Sequence, residues 1–175
     1  MSTEPALTEQ IAERALALGE ELEARHWKAT TAESCTGGAI AAAITAVAGA
    51  SNWFDGAVVS YANRIKRNLL SVSEEDLQAL GAVSEQVVRQ MASGVLGVMD
   101  ANVAVAVSGI AGPDGGTEEK PVGTVWIALA HSEGQEPVDI DARCFHFDGD
   151  RAQVQGHTVL KALDMMLALV REHPL

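Results

Sequence analysis

The stretch TAESCTGG, residues 31–38, sets a serine, a cysteine and two threonines beside a carboxylate and a pair of glycines. A β run ends at Ala32, the polar group Glu33-Ser34-Cys35-Thr36 follows, and an apolar helix begins after Gly37 and Gly38. Such a turn aims a hydroxyl outward and leaves the first unpaired N–H groups of the helix beside it, where an oxyanion or a phosphate is stabilised. Ser34 is therefore the candidate nucleophile, with Thr36, Gly37 and Gly38 as candidate substrate-binding positions. A plain helix cap by Ser34 or Thr36 is the competing account.

A serine needs an activating base, and the usual patterns are missing. Ala32 and Thr36 stand where a GxSxG elbow has glycines, and Gly37 stands where SxxK has its lysine. The five histidines are scattered and none sits in a triad context. A lysine of depressed pKa is the alternative. Lys66 follows a strand candidate and lies close to Arg64 and Arg67, whose charges disfavour a third cation. Tyr61, at the end of that strand, offers a phenol for proton relay. The basic cluster reads either as an anion site, with Arg64 as its contact, or as a solvated helix face. Taken residue by residue, an ordinary solvated Lys66 and a half-buried sheet Tyr61 are the simpler readings.

The third candidate is SGIAGPDGG, residues 108–116, directly after the most apolar strand run. Loops at the carboxyl ends of central strands are where α/β folds hold ligands, so Ser108, Gly109, Ile110, Ala111 and Gly112 are candidate pocket residues. A flexible turn extended by TEEKP is the other reading. Cys144, His146 and Asp148 alternate and would share one face of a strand, with Phe145 and Phe147 facing the core. A solvent face explains them better than a metal site. Cys35 stands where a helix N-terminus lowers a thiol pKa, yet no histidine partners it, and a small buried thiol is the simpler role.

Elements must hold these residues in place. Leu7, Ile11, Ala15, Leu18 and Leu22 form one helical stripe. Lys28 to Ala32 and Gly56 to Tyr61 read as strands. AIAAAITAVAG between Gly38 and Gly49 reads as a small helix buried on most sides. Ser73 and Ser84 read as caps of two helices. In the second, Val87, Val88, Met91, Val95 and Val98 point inward. Ala101 to Ser108 is too apolar for an edge strand. Val122 to Ala130 and Val138 to Phe147 are two strands joined by a polar turn, His131 to Glu136, and a helix over Asp150 to Arg171 closes the chain. In that helix Val154, Leu160, Leu163, Leu167 and Val170 point inward. The order α-β-α-β-α-α-β-β-β-α predicts a three-layer α/β/α sandwich with a mixed sheet of about five strands.

The 175 residues fit a single domain, 1–175, with 47% hydrophobic and 21% charged residues. A net charge of −12 argues against a primary nucleic-acid role. Two isolated cysteines, no secretory pattern in MSTEPALTEQ and no long apolar run predict a cytoplasmic protein without membrane attachment.

TAESCTGG, WFDGAVVSYANRIK, GAVS, AVSGIAGPDGG, KPVGTVWIA and FDGDR, in this order, strongly resemble the CinA C-terminal domain family from about Leu7 to Leu167. The chain has no room for the separate N-terminal domain of larger members and resembles the stand-alone form. That resemblance implies hydrolysis of nicotinamide mononucleotide to nicotinate mononucleotide and ammonia, within NAD salvage. It implies a metal-free serine mechanism without cofactor, a small-molecule substrate rather than nucleic acid, and a homo-oligomer. The family's nucleophile falls on Ser34, its lysine on Lys66 and its tyrosine on Tyr61. Either Lys66 or Tyr61 then takes the Ser34 proton, and N–H groups near Thr36 and Gly37 hold the oxyanion. Arg151 at the start of the last helix binds the substrate phosphate, a neighbouring subunit, or Asp148 or Asp150. Two other activities stay open: a pyridine-nucleotide-binding or competence- and damage-related regulatory domain, and a serine acyl hydrolase with another amide substrate.

Overall fold

The computed structural model describes residues 6–134 and 138–175. In chain order it contains α1 (Leu7–Arg25), β1 (Ala29–Glu33), α2 (Ala39–Thr45), a 3-10 turn (Ala50–Asn52) and β2 (Phe54–Val59). Three helices follow, α3 (Asn63–Leu70), α4 (Glu74–Leu80) and α5 (Glu85–Val98), and then β3 (Val103–Gly109), β4 (Thr124–His131), β5 (Asp139–His146) and α6 (Arg151–Glu172). One five-stranded sheet has the order β2-β1-β3-β4-β5. β1 pairs in parallel with β2 and β3, while β3–β4 and β4–β5 are antiparallel. This is the mixed sheet and α/β/α layering expected from the sequence.

The central strand explains the layers. In β3 the valines 103, 105 and 107 enter one core with α1, α2 and α6, and Ala104 and Ala106 enter the other with α5. Ala32, Ala128 and Ala130 add to that second face, so its centre, under α5, is built of small side chains. β1, buried at all five residues, is flanked on both sides. Its exit to α2 lies on one face of the sheet and the exit of β2 to α3 on the other. Adjacent loops that part in this way open a crevice at the carboxyl ends of the strands.

Several local expectations are corrected. The helix α3 is missing from the expected element order, because its inward face is Lys66 and Leu70 rather than an apolar stripe. α2 is seven residues long, ends at Thr45 rather than near Gly49, and buries only Ile40 and Ile44. Its alanines face outward or are half-buried. Ser73 caps α4 through Asp76 N–H, but the Ser84 hydroxyl donates to Gly81 O instead of capping α5. Val98 is 55% exposed, one step past the buried stripe of α5, and Leu160 is only half-buried on α6. In the turn expected between β4 and β5, Gln135 and Glu136 lie outside the described residues, as do residues 1–5 of the N-terminal stretch. No helix among the described residues is long and apolar enough to cross a membrane.

Candidate active site

Alternation along β1 sends Thr31 and Glu33 to the α2 face and Ala32 to the α5 face. Ser34 continues the pairing, its N–H donating to Val107 O at 3.1 Å, and so its side chain follows Ala32 toward α3. Lys66, one turn into α3, meets it there. Lys66 Nζ lies 3.1 Å from Ser34 Oγ, 2.7 Å from Ser60 O and 3.2 Å from Tyr61 O.

The lysine is 1% exposed, and burial lowers its pKa from the ordinary lysine value. A neutral amine has two N–H donors and one lone pair. Ser60 O and Tyr61 O match the two donors, which leaves the lone pair for the Ser34 hydroxyl. The cause of the shift is desolvation rather than the neighbouring arginines. Arg67 pairs with Glu74, and Arg64 is exposed.

Gly37 and Gly38 have φ of +62° and +102°, and a Cβ on Gly38 would stand 3.3 Å from Val59. Two successive residues in this region require glycine if the turn is to form without strain. The first N–H groups of α2 are not vacant, contrary to the sequence reading. Glu33, a fully buried carboxylate, accepts from Ile40 N and Ala41 N, both at 2.9 Å. It also accepts from Thr36 Oγ at 2.6 Å and Thr31 Oγ at 2.9 Å. The Gly37 N–H donates to Ser34 O. Among the described residues, the N–H groups of Thr36 and Gly38 have no protein acceptor. Glu33 was missed because the sequence shows only a residue beside the nucleophile. The available signal was a carboxylate flanked by threonines two before and three after it.

Tyr61 reaches the dyad through its carbonyl. Its side chain is 64% exposed, and the phenol oxygen accepts from Arg151 at 3.4 Å. Arg151 also donates to Gly112 O at 2.8 Å, and Gln155 donates to Cys35 O at 2.9 Å. The start of α6 thus ties the tyrosine, the glycine loop and the Ser34 turn together. Arg151 takes these partners rather than Asp148 or Asp150. Asp150 forms a capping box with Gln153, which offsets the cation at the helix start.

The glycine loop is pinned at Ile110, whose N–H donates to Thr124 O and whose carbonyl accepts from Gly123 N. A Cβ on Gly112, at φ +83°, would fall 2.5 Å from Val122. Gly109, Ile110 and Ala111 lie at the same strand end, whereas the Ser108 hydroxyl donates to Ala82 O on the α5 face and is thereby committed. Cys35 is buried and its thiol is pushed up to about 12, by burial first and then by the charge of Glu33, against Lys66 and Arg151. His146 Nδ1 lies 3.7 Å from Asp148 Oδ1, and no group of three or more His, Cys, Asp or Glu among the described residues is gathered for a metal.

The sequence profile of the CinA C-terminal domain matches residues 11–170. The chain belongs to the CinA C-terminal domain family. It is 49% identical over 158 residues to a nicotinamide-nucleotide amidohydrolase, PncC, of Enterobacter agglomerans, covering 90% of this chain and 94% of that protein. It is 48% identical over 149 residues to the PncC amidohydrolase of Escherichia coli K12, covering 85% and 88%. Among solved structures, a competence damage-inducible protein A from Klebsiella pneumoniae superposes with a TM-score of 0.88 at 38% identity, covering 94% of this chain and 99% of that one. In this CinA-type domain the Ser34–Lys66 pair, the glycine loop and the start of α6 converge on one end of the sheet.

Proposed function

We propose that this CinA-type domain is a nicotinamide-nucleotide amidohydrolase, releasing ammonia from nicotinamide mononucleotide and leaving nicotinate mononucleotide. One observation carries the chemistry: a buried lysine amine with depressed pKa lies 3.1 Å from a serine hydroxyl. The substrate comes from the names of relatives at 48–49% identity over most of the chain.

In this reading neutral Lys66 takes the Ser34 proton as Oγ attacks the carboxamide carbon. The oxyanion is received by the uncommitted main-chain N–H groups of Thr36 and Gly38. Lys66, now an ammonium, gives its proton to the departing nitrogen, so ammonia leaves and an ester to Ser34 remains. Water, deprotonated by the same amine, attacks that ester; nicotinate mononucleotide departs and Ser34 regains its proton. Tyr61 supports the base through its carbonyl, and its exposed phenol, with Arg151, Arg64 and the 109–112 loop, lines the nucleotide side. The product enters NAD salvage. Two free cysteines suit a reducing cytoplasm. Self-association belongs to the same reading, and sedimentation tests it.

Ammonia release from nicotinamide mononucleotide, measured with a coupled assay, tests the function. Ser34→Ala and Lys66→Ala should each lose about a thousandfold or more in kcat while remaining folded. Tight binding by the wild type without turnover would replace the amidase with a pyridine-nucleotide-binding domain. Full turnover by Ser34→Ala would remove the serine mechanism.

A further inference from the structure

Glu33 lies one residue from the nucleophile, yet it works on the opposite face of the sheet. Each of its oxygens accepts one main-chain N–H of α2 and one threonine hydroxyl: Oε1 takes Ile40 N and Thr36 Oγ, and Oε2 takes Ala41 N and Thr31 Oγ. The side chain therefore clamps three things at once: its own strand through Thr31, the turn through Thr36, and the start of α2. No donor of this set belongs to a substrate or to Lys66. A buried carboxylate costs several kcal/mol unless its lone pairs are filled, and here all four contacts are donors. A helix of seven residues with two buried side chains has little else to fix its start.

We infer that Glu33 is the positioning residue of the site: by holding α2 and Thr36 it fixes the 34–38 turn, and so keeps Ser34 Oγ on Lys66 and the N–H groups of Thr36 and Gly38 unspent. This rests on the amidase reading for its turnover assay, and on geometry alone for the rest. The isosteric change Glu33→Gln is informative, since whichever oxygen becomes NH2 then meets a main-chain N–H, donor against donor. The turn shifts while the volume is kept.

The experiment compares wild type, Glu33→Gln, Thr31→Val and Thr31→Ser by kcat and KM for ammonia release, and by the rate at which a fluorophosphonate labels Ser34. Glu33→Gln should lower kcat about a hundredfold with KM within about threefold, because a displacement near 1 Å at the reacting atom has that effect on rate. Labelling should slow in parallel. If Glu33→Gln does not fold, Thr31→Val, which removes one of the four bonds, should lower both rates about tenfold, and Thr31→Ser should restore them. A folded Glu33→Gln whose kcat and labelling stay within about threefold of wild type overturns the inference. So does a rise in KM at constant kcat, or a Thr31→Val equal to wild type when Glu33→Gln is unfolded. Wild type that labels at Ser34 but releases no ammonia defeats the amidase reading alone, and labelling then decides the role of Glu33. Wild type that does neither defeats both.

Discussion

Lys66 Nζ and Ser34 Oγ are 3.1 Å apart across 32 positions of sequence, one delivered by the exit of β1 and the other by the first turn of α3. In the proposed mechanism the base of this pair is the unprotonated amine. Because burial lowers the folded-state pKa of Lys66, the active form is populated at lower pH than for a solvated lysine. Turnover should rise with pH through that pKa, with its midpoint below the ordinary lysine value of 10.5. Lys66→Arg, which keeps a cation that cannot give up its proton, should fall about a thousandfold at every pH. A kcat profile for both proteins measures this, and a flat wild-type profile would contradict it.

Cys35 and Cys144 should differ in reactivity. The first is buried with its thiol pushed up to about 12, and the second lies on the exposed side of β5. Since the thiolate is the reacting species, iodoacetamide should modify the native chain at Cys144 and leave Cys35 untouched until the protein unfolds. Mass spectrometry of alkylated peptides reads the result. Fast labelling of Cys35 in the native protein would mean that the turn opens.

Arg151 should govern substrate affinity more than turnover. It holds the Gly112 carbonyl and the Tyr61 phenol at once, and neither bond touches Ser34 or Lys66. Arg151→Lys keeps the charge but loses the planar fork that spans both partners. A KM increase of about tenfold with kcat changed by about threefold or less is expected. A pure loss of kcat would place the arginine at the reacting atoms instead.

A second titrating group lies far from the catalytic end. His131, at the end of β4, packs at a tilt against the rings of Trp27 and His173 at centroid distances of 4.8 and 4.2 Å, and its buried Nε2 has no hydrogen-bond partner among the described residues. Burial and the neighbouring His173 lower its pKa, while Glu133 and Asp139 oppose the shift. The unfolded chain then binds a proton before the folded one does. The contribution of His131 to stability is full above its unfolded value of 6.5 and is lost as pH falls through the lower folded value. Thermal midpoints of wild type should decline on acidification through that window, and His131→Phe should flatten the decline. An unchanged acid limb in the variant would reassign it to other groups.

Much of this architecture was legible in the chain. The 3.6-residue stripe of Leu7 to Leu22, the apolar run of Ala101 to Ser108 and the apolar face of the last helix announce their elements, because each buries a continuous surface. The serine turn was visible through Gly37 and Gly38. Two parts were hidden for physical reasons. α3 presents a lysine where periodicity looks for an apolar residue, so the helix that carries Lys66 had no hydrophobic signature. Glu33 serves donors three to eight residues on, and only the folded turn reveals that α2 is already capped. The phenol of Tyr61 was expected beside the base, but it is the carbonyl of that residue that is there.

The convergence of distant segments has a bearing on synthesis. A ribosome that has released the chain as far as β2 has made Ser34 but not its partner Lys66. After α3 the pair exists, yet Arg151, the anchor for the 112 carbonyl and the 61 phenol, is still about eighty residues away, in α6. The Ser34 end of the sheet is therefore assembled in full only once the last helix has been made.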